Sequence, residues 1–174
     1  GGGGATADEL KAQAKARADA AAKQKAEEEK ARKEQYDKAK ALADAKANLA
    51  KAQLDKYIFD LRATLDKEKA LTPESIAVET ERLAKIKDAQ IKFNNDELAR
   101  KVADLEAKAV LEKTSVEVLN AQKEALNLEY QMKNQELELG FQQSTDALKL
   151  QYEQEQKILK AEQLALDNEL ALAE

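Results

Sequence analysis

Leucines recur every eleven residues in the last third of the chain, and an aromatic residue follows each of the first three by four positions. Eleven residues in three turns is about 3.67 per turn, close to a relaxed α-helix, so the stripe runs nearly straight with a slight right-handed drift. The pattern predicts a long helix whose stripe mediates self-association. This leucine stripe consists of Leu126, Tyr130, Leu137, Phe141, Leu148, Tyr152, Leu159 and Leu170.

A second apolar row, Leu128, Leu139 and Leu150, lies nearly opposite the leucine stripe at about 100° per residue. Apolar rows on two faces favour a bundle helix with a neighbour on each face. The alternative is a trimer core on one face and an enclosing wall on the other. Each repeat also has a polar layer, which weakens association but fixes register and copy number. The residues of this layer are Lys133, Asn134, Ser144, Thr145, Glu155 and Gln156.

Residues 5–53 are rich in alanine, the strongest helix former. Between Leu10 and Leu42 the only large apolar side chain is Tyr36. This helix therefore either stands nearly alone or packs closely through its alanines. Large apolar residues return at 4-3-4 spacing and mark the first predicted contact with another surface. They are Leu54, Ile58, Leu61 and Leu65.

The clearest boundary in the chain is at Thr72 and Pro73. Proline disfavours helical geometry at the preceding residue, and Thr72 as N-cap with Pro73 at the first helical position is a strong helix start. No glycine or asparagine is nearby to form a reversing turn, which favours a kink over a reversal.

After this boundary the apolar pattern predicts one continuous helix to the end of the chain. Capping-box matches at Asn94 with Glu97 and at Thr114 with Glu117 mark two places where it could break. Gly140 would weaken the helix by about 1 kcal/mol, but the leucine stripe stays in phase across it. The predicted organisation is a flexible glycine linker over 1–4, an Ala/Lys/Glu-rich helix over 5–71 and a long amphipathic helix over 72–174. The opening glycines and the lack of an initial Met indicate a piece of a longer chain.

Composition predicts an all-α protein and argues against several functional classes. The chain has no Cys and no His, and no phosphate-binding glycine motif, so no catalytic, cofactor or metal site is predicted. Its formal charge of −5 and its few aromatics argue against nucleic-acid binding. No run of 18 apolar residues is present, so a membrane span is not expected. No small-molecule substrate is predicted either.

The arrangement resembles part of a tail tape measure protein of tailed bacteriophages. In that family a Gly- or Ala-rich patch leads into very long Ala/Lys/Glu/Gln helices without Cys, such as Ala12–Lys51 and Ala121–Glu174 here. The segment KAEEEKARKEQ, Lys25–Gln35, also resembles the envelope-spanning helical domain of the Tol import system. The phage resemblance implies a non-enzymatic, trimeric coiled-coil rod in the virion. This rod would fill the tail tube, set its length and contact tube and tail-tip proteins.

Two other functional classes compete with the phage rod. Eleven-residue amphipathic repeats also occur in lipid-surface helices, which place lysines beside a single apolar face. Here the repeat region is acidic and its aromatics lie inside the stripe, which favours helical partners over lipid. A generic envelope or scaffold coiled coil is the remaining alternative.

Overall fold

The computed structural model describes residues 4–63 and 70–173, and within these ranges all regular structure is α-helical. Helix α1 spans Ala7–Ala63, α2 spans Pro73–Glu112 and α3 spans Val116–Ala173. The predicted all-α class is confirmed. Leu65 and most of the predicted glycine linker lie outside the described residues.

The three helices lie side by side with α2 in the middle, and α2 is antiparallel to both neighbours. Tyr36 of α1 contacts Asp104 of α2, whereas Ile58, further along α1, shares a groove with the earlier residue Gln90. On the other side, Asn94 pairs with Asn134 and Lys87 with Glu138. Helices α1 and α3 therefore run in the same direction.

Of the kink and the reversal considered near Pro73, the favoured kink is wrong and the reversal is correct, because α1 and α2 are antiparallel. Local sequence favoured a kink since it contains no turn-forming glycine. The antiparallel arrangement instead lets α1 half-bury its returning apolar residues, including Leu54 and Ile58, on the α2 side.

The predicted helix start at Thr72 is confirmed in detail. The Thr72 hydroxyl accepts a hydrogen bond from the Ser75 amide at 3.1 Å, and the Ser75 hydroxyl accepts one from the Thr72 amide at 2.8 Å. This reciprocal capping box satisfies two backbone donors at the helix end. Pro73 occupies the first turn, where its missing N–H costs nothing, and Glu74 adds a favourable charge there.

The predicted continuous helix over 72–174 is wrong, because α2 and α3 are separated by a tight turn at 113–115. Lys113 adopts the left-handed conformation, with φ 55° and ψ 42°, and its amide donates to the Ala109 carbonyl. Ser115 then caps α3, its hydroxyl accepting from the Val118 amide at 3.3 Å. The Thr114 capping-box match lay one residue from the actual cap. The turn folds α3 back onto α2 and gives the leucine stripe an intramolecular partner.

The helix continues through the other two suspected interruptions. Asn94 lies within α2 and Gly140 lies within α3. An added Cβ at Gly140 would meet nothing within 4 Å, so no close packing requires a glycine there.

The structure is a thin, staggered rod with little buried surface. Among the described residues only Ile86, Ala109, Tyr130 and Thr145 are buried. Since Tyr36 lies level with Asp104, residues 7–28 of α1 project past the α2–α3 turn as the α1 arm. At the other end Leu71 lies level with Glu155, so residues 157–173 project past α2 as the α3 arm. At 1.5 Å per residue the rod is about 120 Å long.

Candidate functional site

The centre of the α2–α3 contact is Tyr130, whose side chain is only 1% exposed. Its hydroxyl donates a hydrogen bond to the Glu97 carboxylate of α2. Two ammonium groups lie over its ring, Lys133 at 4.5 Å and Lys101 at 5.2 Å from the centroid. Such cation–π contacts add about 0.5–2 kcal/mol each, depending on solvation. The leucine stripe thus contributes a polar anchor as well as apolar surface.

Burial and mutual interactions shift the pKa of Tyr130, Glu97 and Lys101. Burial raises the pKa of Tyr130, and its hydrogen bond to Glu97 raises it further. Burial would raise the pKa of Glu97, but the Tyr130 hydrogen bond and the nearby lysines outweigh it, so the pKa is lowered. Interaction with the Tyr130 hydroxyl raises the pKa of Lys101. At neutral pH the cluster therefore holds a neutral phenol, a carboxylate and an ammonium ion.

An asparagine layer lies about one helical turn from Tyr130. The Asn94 amide donates to the Asn134 side-chain oxygen at 3.0 Å, and the Asn134 amide donates to the Asn95 oxygen at 3.0 Å. These three amides pair only when the two helices are at the same level, because a slip of one turn moves each group about 5.4 Å. The layer therefore fixes the α2–α3 register. The polar layer seen in the sequence has this role at Asn134.

Two more polar contacts hold the α2–α3 register towards the ends of the seam. Lys87 lies 3.1 Å from Glu138 and 4.5 Å from the centroid of the Phe141 ring. Near the turn, Lys123 pairs with Glu106 at 2.5 Å. Partly exposed pairs of this kind contribute little energy individually, but each disfavours a shifted register.

The contact between α1 and α2 has half-buried alanines in its middle and larger apolar residues towards the end of α1. Ala43 and Ala47 are half-buried and share a groove with α2 residues. Tyr36 is the main polar anchor, and its hydroxyl donates to Asp104. This hydrogen bond, aided by burial and by the Asp104 charge, raises the pKa of Tyr36 to about 12. Of the two alternatives for the Ala-rich helix, the structure shows alanine packing for the second half of α1, while the α1 arm stands alone.

The leucine stripe divides into two parts. Six of its residues, from Leu126 to Tyr152, are half-buried or buried on the α2 side. Leu159 and Leu170 lie on the α3 arm and are 55% and 58% exposed. In this fold, self-association through the first six residues would require the hairpin to open. The predicted trimer stays a prediction.

The second apolar row faces away from α2. Leu128, Leu139 and Leu150 are 54%, 58% and 55% exposed. The helical period predicted that the two rows lie on opposite faces of the helix, and the structure confirms this. No described helix contacts α3 on that outer face.

Sequence reasoning missed the α2 residues that anchor its neighbours. Asn94 and Glu97 drew attention only as a capping box, whereas both side chains face α3. Asp104 gave no signal, because an isolated carboxylate on a charged helix resembles any solvated surface residue. The helical phase of Asn94 and Glu97, three residues apart on one face, was the signal that could have paired them with α3.

Within residues 4–63 and 70–173, no group of three or more potential metal ligands is present. In the same ranges no helix is both long and apolar enough to cross a membrane. The groups gathered at the seams are phenols, amides, carboxylates and ammonium ions that interact with one another. Their arrangement fixes helix positions.

The fold and its seams define the class: an all-α protein whose described residues form three long helices, with each helix antiparallel to the next. The sequence matches no protein-family model, and neither curated proteins nor solved structures show significant similarity to it.

Proposed function

We propose that this chain is a non-enzymatic structural rod, a segment of a phage tail tape measure protein that fills the tail tube and sets its length. The observation that carries the proposal is the staggered, rod-like arrangement of the three helices, about 120 Å long at 1.5 Å per residue. The resemblance of the composition to the tape measure family is the reason for placing this rod in a phage tail. In this setting the rod lies in the virion, in contact with tube and tail-tip proteins.

A rod that sets a length must resist sliding of one helix along another. Here the asparagine layer and the Tyr130–Glu97 hydrogen bond serve this purpose, since both are lost if α3 slips by one turn. Purely apolar seams would tolerate such slips at lower cost. The polar contacts therefore support a defined length, which is what a ruler requires.

The proposal is tested by deleting one repeat, Leu137–Ala147. Eleven residues are three turns, so the stripe keeps its phase and the remaining part of α3 moves along α2 by one repeat. The α3 arm then retreats, and the rod shortens by about 16 Å. If the chain is part of the tape, phage tails carrying the deletion shorten by the same amount in electron micrographs.

The matched control changes a residue of the same segment without changing its length. Gly140→Ala adds a methyl group that meets nothing within 4 Å, and it favours the helix. Tails with this variant should keep wild-type length. Unchanged tail length in the deletion, with assembly intact, would show that the segment is not part of the tape.

A further inference from the structure

The two arms of the rod carry complementary surfaces. We propose that the α1 arm of one copy binds the α3 arm of a second copy, joining rods end to end. The arms project from opposite ends of the molecule, and α1 and α3 run in the same direction. A copy displaced along the rod axis therefore places its α1 arm, parallel and at the same level, beside the α3 arm of the first.

The α3 arm offers the apolar surface for this contact. Leu159, Leu166 and Leu170 are spaced seven and four residues apart, so they lie on one helical face. This face continues the leucine stripe that α2 covers as far as Tyr152. All three leucines are more than half exposed. Beyond the start of α2 at Pro73, none of the helices in the described part of the chain covers the stripe.

The α1 arm has a surface suited to covering these leucines. It is rich in alanine, and further along the same helix Ala43 and Ala47 are half-buried and line a groove with α2 residues. Small side chains let helix axes approach closely, so leucines of one helix can lie over the alanines of the other. The α1 arm itself is exposed throughout its length.

The distribution of charge along the two arms favours the α1 arm of a second copy over a second α3 arm. Between Leu10 and Lys25, the middle of the α1 arm has five basic residues and a single acidic one, Asp19, whereas the four other acidic residues of the arm lie at its two ends. Between Ala161 and Ala173, the outer part of the α3 arm has three acidic residues and no basic one, and the arm's two lysines come before it. Opposite charges attract across the proposed contact, whereas two α3 arms paired with each other would place these acidic halves close together.

The symmetry of this contact determines the kind of assembly that it forms. Two different surfaces meet, so the contact is heterologous, and a displacement along the axis does not close into a ring. Each added copy leaves one free arm at each end. The expected product is a linear chain of rods that grows with protein concentration and weakens with added salt.

Two complementary variants test the contact in the full chain. The first, Leu159→Gln with Leu166→Gln and Leu170→Gln, disables the α3 arm. The second, Lys11→Glu with Lys15→Glu and Arg17→Glu, disables the α1 arm. By sedimentation velocity at low salt, the wild type should form species that grow with concentration. Each variant alone should remain at the smallest unit.

An equimolar mixture of the two variants should form one species of twice the unit mass and grow no further. Each partner then supplies the arm that the other lacks, and both remaining ends are disabled. Circular dichroism should show wild-type helix content in both variants, because every substituted side chain is exposed.

Matched controls change the same arms elsewhere. Lys11→Arg with Lys15→Arg and Arg17→Lys keeps the charge and should assemble like the wild type. So should a second control, which replaces three exposed residues on other faces of the α3 arm with Gln. These residues are Ile158, Leu164 and Leu172.

Two results would overturn the proposal. One is association of the α1-arm variant by itself with no added species in the mixture, which would mean that α3 arms pair with each other. The other is a single unit mass for the wild type at all concentrations. Both concern purified copies, so either leaves the tail-length test of the proposed function unaffected.

Discussion

At the scale of single residues, two tyrosines connect the outer helices to α2. Tyr130 of α3 donates to Glu97, and Tyr36 of α1 donates to Asp104. Each is an amphipathic side chain that packs its ring at a helix contact and directs its hydroxyl to a carboxylate. Because few apolar residues are buried, these hydrogen bonds contribute much of the preference for the observed helix register over registers shifted by one turn.

The raised pKa of Tyr36 predicts how its contribution to stability depends on pH. A pKa of about 12 in the folded state, against 10.0 for the free group, means that folding favours the protonated phenol. The contribution is complete below pH 10 and is lost as pH rises towards 12. Tyr36→Phe should lower the free energy of unfolding by about 1 kcal/mol at pH 8, and this difference should shrink above pH 10.

Urea unfolding of the wild type and the Phe variant, from pH 8 to pH 12, measures this difference. Comparing the two proteins at each pH removes the effect of lysines and of the other tyrosines. A difference that stays constant across the range would argue against the Tyr36–Asp104 hydrogen bond.

At the scale of helices, features set by local chemistry could be read from the sequence. The start of α2 was predicted because Thr72, Pro73 and Glu74 provide every element of a helix start within three residues. The break after Glu112 was marked as possible by the Thr114–Glu117 match, but a continuous helix was favoured, because Lys113 adopts positive φ without the glycine that usually signals it. The reversal before α2 depends on contacts between residues far apart in sequence, which no local pattern contains.

Replacing Lys113 with glycine should change the free energy of unfolding in opposite directions for a turn and for a continuous helix. A non-glycine residue in the left-handed region costs about 1–2 kcal/mol, so Lys113→Gly should raise the free energy of unfolding by about 1 kcal/mol. If the helix were continuous there, the same change would destabilise it by about 1 kcal/mol.

Chemical denaturation measures this change, with Lys149→Gly as the matched control. Lys149 is exposed in the middle of α3, where glycine should lower the free energy of unfolding by about 1 kcal/mol. Destabilisation of similar size by both substitutions would contradict the turn.

At the scale of the whole molecule, the sequence identified the leucine stripe as a contact surface but did not identify the helix that covers it. The leucine stripe was recognised as a contact surface from its eleven-residue period, yet its partner was expected in another chain. Along Leu126 to Tyr152 the partner is α2 of the same chain. Periodicity shows which face of a helix is covered, and only the three-dimensional arrangement shows what covers it.

The central claim is that α3 folds back along α2, and one distance measurement tests it most directly. The chain has no Cys, so Glu81→Cys with Asp146→Cys provides two unique positions for spin labels. Both residues are exposed and lie at nearly the same level of the hairpin. Electron–electron double resonance should give a short distance, as expected for helix axes about 10 Å apart. A distance near 98 Å, the length of 65 residues in one continuous helix, would contradict the hairpin.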